Sequence, residues 1–267
     1  MYQSHWGLDE TPFGARLDPR FFYESPSHEE ALARLHFLVD YRRRLGLLIG
    51  CQGSGKSFLL QVFADELRDR GVPVARVGLL GVDKVEVLWL LAGELGLHPG
   101  RQPALPSLWR SVTDRICEYR YEQTDTVLLF DDADRASEET LTQIARLSQF
   151  DCSPDARLTI VLAGAPERIR RLGDSLLERA ELRIDIAPWE PADTQNYLKA
   201  SLARAGRQTA VFAEPAIDRL HQLAQGIPRR ITQLADLALL AGAGRELEQI
   251  DTDTIESVYR ELGVIEV

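Results

Sequence analysis

Cysteine is scarce in this chain: Cys51, Cys117 and Cys152 are scattered, odd in number and nowhere spaced C-x-x-C. Neither a disulfide framework nor a cysteine zinc site is indicated, and a reducing cytoplasm fits. The five histidines, at positions 5, 28, 36, 98 and 221, form no H-x-x-x-H or similar cluster, which argues for packing or surface roles over metal ligation. Long apolar runs are missing as well. The longest, such as Val87 to Gly93, fall far short of the about 18 residues that a membrane span needs, and the N-terminus lacks a basic-then-apolar leader, so direct membrane insertion is not expected. Positive charge is in deficit: 31 Lys and Arg face 41 Asp and Glu, a net charge of −10. That balance opposes a broad electrostatic grip on nucleic acid and leaves room only for a local basic patch. With 45% hydrophobic and 27% charged residues among 267, the composition is that of a folded protein with one large or two modest domains.

Against this background one stretch stands out. Gly50-Cys51-Gln52-Gly53-Ser54-Gly55-Lys56-Ser57 fits G-x-x-x-x-G-K-[ST] without mismatch. It follows the apolar run Leu45 to Ile49 and precedes the helical pattern that opens with Phe58, so the motif sits in its required strand, loop, helix context. Glycines let the loop curl so that successive N–H groups face phosphate oxygens, and the helix N-terminus adds partial positive charge. Gly50, Gln52, Gly53, Ser54, Gly55, Lys56, Ser57 and Phe58 are the expected cradle. Lys56 would reach the β- and γ-phosphates, and Ser57 would ligate Mg²⁺.

The rest of the chain gives this loop a setting. Residues 1–26 are aromatic and rich in Pro and Gly without a helical period, which predicts an extended arm lying on the core. Ser27 and Glu30 read as a capping box at the start of a helix ending in Arg42-Arg43-Arg44. Short apolar strands then alternate with amphipathic helices, the pattern of a parallel sheet. Strands are expected at 45–49, 72–79, 126–131, 158–163 and 182–186. Ser137 is expected to cap the helix after the third strand. Past Pro188-Trp189 the strand signal stops, and 190–206, 213–225, 228–243 and 251–262 all read as amphipathic helices. The expected organisation is an arm and helix over 1–44, an α/β core over 45–189 and a helical unit over 190–267.

Asp131 follows the apolar run Val127 to Phe130, 75 residues after Lys56. It fits the Walker B position, a strand-end carboxylate that holds Mg²⁺ through its water shell. The adjacent Asp132 would polarise an attacking water, with capping of the loop by Asp132 or Asp134 as the plainer alternative. Cys51 in the phosphate loop reads as a tolerated small residue before a redox-sensitive thiol.

On these residues the chain resembles bacterial AAA+ ATPases of the ExeA/GspA type, which are related to transposition ATPases of the TnsC/TniB kind. The likeness spans nearly the whole sequence. It rests on Trp6-Gly7-Leu8, Pro12-Phe13, Asp18-Pro19-Arg20-Phe21-Phe22-Tyr23, Ser27-His28-Glu29-Glu30-Ala31-Leu32, the phosphate loop, Asp131-Asp132-Ala133, Ile160 to Glu167, and Gly226-Ile227-Pro228-Arg229. The resemblance implies a P-loop core with strand order 5-1-4-3-2, a helical lid, and ATP held between core and lid and between subunits. It puts the sensor-2 arginine on Arg229. It puts the arginine finger, which acts across a subunit boundary, on Arg179, with Arg171 and Arg183 as neighbouring rivals. Phe21, Phe22 and Tyr23 could wall an adenine, although packing of the arm is the stronger expectation.

Two departures from the family weaken the water side of the site. Asp132 stands where the family usually has Glu, one methylene longer, and Ala165 stands where a polar sensor-1 residue is usual. Slow ATP hydrolysis is therefore expected. The resemblance implies a cytoplasmic ATPase that forms homo-oligomers in the ATP state and serves assembly of a secretion or envelope apparatus. Many members continue past the lid into a membrane span and a peptidoglycan-binding part, whereas this chain ends after it. The alternatives are a DNA-associated regulator of the transposition type, through Arg42-Arg43-Arg44 or Arg168, Arg170 and Arg171, and a nucleotide-operated scaffold that hydrolyses nothing useful. The net charge weighs against DNA.

Overall fold

The computed structural model describes residues 2–14, 22–101, 103–151, 153 and 155–263. Its helices and strands follow in the order α1 (Tyr2–Trp6), α2 (Pro26–Asp40), β1 (Leu45–Gly50), α3 (Lys56–Asp69), β2 (Val74–Gly78), α4 (Glu86–Glu94), α5 (Leu105–Tyr121), β3 (Thr126–Asp131), α6 (Glu138–Phe150), β4 (Leu158–Gly164), α7 (Asp174–Leu177), β5 (Leu182–Ile186), α8 (Pro191–Arg204), α9 (Glu214–Ala224), α10 (Pro228–Gly244) and α11 (Thr252–Gly263). These divide into two compact units. One comprises His28–Gln52 and Lys56–Ile186, the other Met1–Ser27, Gly53–Gly55 and Ala187–Val267.

The first unit is α/β. Its five strands are all parallel, in the order β2-β3-β4-β1-β5, the order that the resemblance implies. β1, β3 and β4 are buried along their whole length, which is why their sequences are continuous apolar runs and not alternating ones. β5, at the sheet edge, alternates instead, with Arg183 and Asp185 exposed and Ile184 and Ile186 buried. Leu47, Ile49, Leu128, Phe130, Ile160 and Leu162 from the sheet pack with Leu88 and Leu91 of α4, Val112 of α5 and Ile144 of α6 in one apolar core. Ser137 caps α6 as expected, its hydroxyl accepting the Thr140 N–H at 3.2 Å. β2 is shorter than its apolar pattern, beginning only at Val74, beyond Pro73.

The second unit is helical. α8 to α11 enclose a core that includes Leu198, Leu220, Ile231, Leu234, Leu239 and Ile255. The N-terminal segment belongs to this core and not, as its sequence suggested, to the α/β one: Trp6, Leu8 and Phe13 are among its buried residues. Trp6 is 1% exposed, and its indole N–H donates to the Leu239 carbonyl at 2.9 Å. Arg207 donates to the Trp6 carbonyl at 2.8 Å, and Tyr2 donates to Asp236 at 3.0 Å. The first residues are also helical, as α1, where an extended arm was expected. Indole, phenyl and tyrosyl rings are the largest apolar areas a short segment can offer, and packing them among the buried residues of the bundle takes most of that area out of water.

The expected capping box at Ser27 and Glu30 does not form. α2 starts one residue earlier at Pro26, whose fixed φ suits a first helical position. The Ser27 hydroxyl accepts the Ala187 N–H at 2.9 Å. Of the aromatic run, Phe21 lies outside the described residues, as do Asp18, Pro19 and Arg20. Tyr23 packs edge-on against Trp189 and Tyr197, with ring centroids 5.3 and 5.7 Å away, so it serves the helical core. Cys152 also lies outside the described residues, and Cys51 and Cys117 are free thiols.

Candidate nucleotide site

The phosphate loop connects β1 to α3, and two of its glycines are required by their backbone. Gly53 has φ +87° and Gly55 φ +95°, conformations that side chains with a Cβ rarely adopt. A Cβ on Gly53 would also approach the Arg229 Cβ at 3.0 Å. Within the helical unit, the Arg229 N–H donates to the Gly53 carbonyl at 3.2 Å. Arg229 stands one residue after Pro228, the first residue of α10, and its side chain is exposed.

Lys56 begins α3. Its ammonium donates to the Gly50 carbonyl at 2.7 Å and to the Cys51 carbonyl at 3.0 Å, folded over its own loop. Burial pushes the Lys56 ammonium below the usual lysine range, against the pull of Asp131 first and of Cys51, Asp134 and Asp132 after it. A cation held with reduced hydration beside carboxylates is ready to exchange carbonyl partners for phosphate oxygens. Gln52 is exposed, while Ser57 and Phe58 are half-buried and Ser54 is buried.

Asp131 closes β3, paired in register with Gly78 of β2. Its carboxylate is held at both oxygens. Oδ1 accepts the Asp132 N–H at 3.0 Å, and Oδ2 lies 3.5 Å from the Arg76 guanidinium. Asp132 follows in the left-handed region, φ 53° and ψ 34°; aspartate is among the few residues that tolerate it. Its side chain lies 3.9 Å from Arg135, one turn on. Burial raises the Asp132 carboxyl above the usual aspartate range, and the neighbouring Asp131 charge adds to the shift, while Arg135 and Lys56 oppose it. Asp134, in the 3-10 turn Ala133–Arg135, is 3% exposed. It packs so closely on Gly164 at the end of β4 that a Cβ there would come within 3.1 Å of Asp134 Oδ1. Ala165 follows, half-buried and without a polar side chain.

No group of three or more His, Cys, Asp or Glu side chains among the described residues is arranged to hold a metal. One hydroxyl, Ser57, and one fixed carboxylate, Asp131, are the donor set that Mg²⁺ uses when phosphate oxygens and water complete its octahedron. The residues present therefore fit that ion better than one needing a full protein cage.

The arginines expected near a γ-phosphate differ in how committed they are. Arg183 is paired with the Asp185 carboxylate, with Nε and Nη2 donating at 3.0 and 2.8 Å. Arg179 and Arg171 are exposed. The sequence reading missed Arg76. Its guanidinium lies beside Asp131, and the available signal was a lone arginine inside the apolar strand Val74 to Gly78.

Comparison with known proteins agrees with this geometry. A family model described as an AAA domain matches residues 39–172, half of the chain. General secretion pathway protein A of Aeromonas hydrophila is 28% identical over 254 residues, covering 94% of this chain and 46% of that protein. The chain thus spans about half the length of that relative. Among solved structures, Cdc6p of Pyrobaculum aerophilum matches with a TM-score of 0.71 at 16% identity, covering 97% of this chain and 70% of that one. Aeropyrum pernix ORC1, solved in complex with DNA, gives 0.70 at 16%, covering 97% and 69%. The Thermotoga maritima RuvB Holliday junction branch migration motor gives 0.60 at 16%, covering 95% and 74%. At such identities the structures speak for the fold alone. With an intact phosphate loop, a strand-end carboxylate pair and this strand order, the match over half its length makes the chain a member of the AAA domain family of P-loop ATPases.

Proposed function

We propose that this chain binds ATP with Mg²⁺ and hydrolyses it slowly, coupling nucleotide state to self-association and to the assembly or regulation of a secretion or envelope apparatus. The observation that carries the reading is the Lys56 ammonium folded onto the Gly50 and Cys51 carbonyls, in the same α/β unit as the fixed Asp131 carboxylate. Lys56 engages the phosphates and Ser57 and Asp131 the metal. Gly50, Gln52, Gly53, Ser54, Gly55 and Phe58 form the cradle, and Asp132 polarises water. Arg229 meets the γ-phosphate as sensor 2, and Arg179 acts on the nucleotide of a neighbouring copy. Hydrolysis is slow because Asp132 is short and Ala165 gives the attacking water no hydrogen bond. The secretion role is drawn from the similarity to general secretion pathway protein A, over the half of that protein's length that this chain spans. No helix among the described residues is long and apolar enough to cross a membrane; action in the cytoplasm is part of the proposal.

A second reading, binding to duplex DNA, draws on one surface feature. Arg168, Arg170 and Arg171 of the 3-10 segment Pro166–Leu172 are exposed together. The other basic run is engaged elsewhere: Arg42 lies 3.6 Å from Asp125, and Arg43 is 3.3 Å from Glu181. With a net charge of −10, three arginines are a small footprint, and the protein-assembly reading is preferred.

The test is ATP binding, phosphate release and sedimentation, with and without duplex DNA across a salt series. The proposal expects binding that Mg²⁺ strengthens, slow release and ATP-dependent association indifferent to DNA. DNA stimulation that fades with salt would favour the second reading. Intact binding with no release at all would leave a nucleotide-operated scaffold, and no binding would refute both.

A further inference from the structure

Arg76 sits on β2 two residues before Gly78, so the two share a face of the sheet. In the ladder, Gly78 is the register partner of Asp131. The Arg76 guanidinium reaches the end of β3. There it makes three connections. Nη2 donates to the Ser57 carbonyl at 3.0 Å and lies 3.5 Å from Asp131 Oδ2, and Nη1 donates to Gln61 Oε1 at 2.6 Å.

The side chains are only 21% exposed for Arg76 and 9% for Asp131, so the group is largely withdrawn from water. Its Nε is buried and makes no hydrogen bond, which means the surroundings do not reward burial of this cation in full. Gln61 is itself fixed, its amide donating to both Asp65 oxygens at 2.9 Å. Arg68 then joins Asp65 at 3.1 Å and Glu94 at 3.6 Å. The guanidinium is therefore braced from the α3 side, and the weak partner in the set, at 3.5 Å, is the carboxylate expected to face the metal.

We propose that Arg76 is a positioning residue for the metal side of the nucleotide site: braced by Gln61 and the Ser57 carbonyl, it sets the orientation of the Asp131 carboxylate relative to the first turn of α3. The inference rests on the ATP–Mg²⁺ reading above and deepens it. A carboxylate that must act through the water shell of Mg²⁺ gains by losing its rotational freedom in advance, and partners behind a metal ligand commonly matter about 10–100-fold for metal affinity. Positive charge near the ion works the other way, by repulsion. The long 3.5 Å separation and the two strong anchors elsewhere make orientation the larger effect. Lysine cannot reproduce the arrangement, because a single ammonium lacks the planar fork that reaches three acceptors at once.

The experiment titrates Mg²⁺ into the protein with a fluorescent ATP analogue, with a parallel titration of the analogue in EDTA, for wild type, R76Q, R76K and Q61M. Thermal unfolding is recorded for each. The expectation is that R76Q needs about tenfold more Mg²⁺ for half-maximal binding while its affinity in EDTA stays within about twofold of wild type. R76K and Q61M, which keep a cation, should shift the same way by less, and they carry the test if R76Q does not fold. Mn²⁺ paramagnetic resonance in the ternary complex should broaden in R76Q, a signature that loss of stability alone does not produce. An unchanged or lowered Mg²⁺ requirement, or an equal loss with and without Mg²⁺, would overturn the role of Arg76. A wild-type protein that binds no nucleotide would instead refute the functional reading, and this inference with it.

Discussion

The backbone N–H of Asp132 donates to the carboxylate of Asp131 at 3.0 Å, so the residue proposed to handle water also holds the residue proposed to handle metal. Because burial and the Asp131 charge raise the Asp132 carboxyl, protonation reaches it above the ordinary aspartate value of about 3.9. A base works ionised, so phosphate release should fall in acid as Asp132 takes up its proton. D132N should abolish this acid limb and lower kcat by about 100-fold or more, measured as phosphate release over pH 4 to about 8.

The same shift has a stability consequence of opposite sign. A raised folded-state pKa means the folded protein holds this proton more tightly than the unfolded chain does. Stability is therefore lost as pH rises from the unfolded value through the folded one. At neutral pH, D132N should unfold at a temperature no lower than wild type. A fall in Tm at pH 7 that vanishes in acid would contradict the argument.

D132E restores the length usual in the family. Since about 1 Å of misplacement can cost about 100-fold in rate, the longer carboxylate is expected to raise kcat several-fold in steady-state phosphate release. Glutamate suits the left-handed backbone at 132 less well than aspartate, so a slightly lower Tm should accompany the gain.

Lys56 and Arg179 can be separated by mixing. K56A should weaken ATP affinity by about 100-fold, equivalent to about 2.7 kcal/mol, seen by fluorescent ATP titration. R179A should bind normally and hydrolyse poorly. If Arg179 serves a neighbouring copy, an equimolar mixture of K56A and R179A recovers part of the activity that each lacks. No recovery at any concentration would remove Arg179 from the site.

Trp6 is fully enclosed in the helical core. W6A should cost about 3–5 kcal/mol, seen as a lower denaturation midpoint for the helical unit. W6F, which keeps most of the area and loses the hydrogen bond to Leu239, should cost about 1 kcal/mol beyond its smaller volume.

What the sequence disclosed follows the range of the interactions involved. The phosphate loop was legible because its chemistry is contained in Gly50 to Ser57, and Asp131 because an acid after a buried strand is a local contrast. Strand and helix positions followed from period. The sheet order came from family resemblance, since alternating elements alone allow several orders. Arg76 was legible only as a lone arginine in an apolar strand, because its place beside Asp131 arises only where β2 and β3 pair in register. The arm was misplaced because its aromatic residues declare that they will be buried without saying where. The Ser27–Glu30 pattern was outcompeted by Pro26, a start signal that needs no partner.

The helical core is finished by a segment that precedes the whole α/β unit in sequence. Trp6 and Leu239 are 233 positions apart, and at about 5–20 residues per second a ribosome takes roughly 10–50 s to separate them. Throughout that interval Trp6, Leu8 and Phe13 have emerged before their burial partners exist. The nascent protein must carry an exposed aromatic segment until the helices of the helical unit have been made, a window in which chaperones or premature association compete with folding.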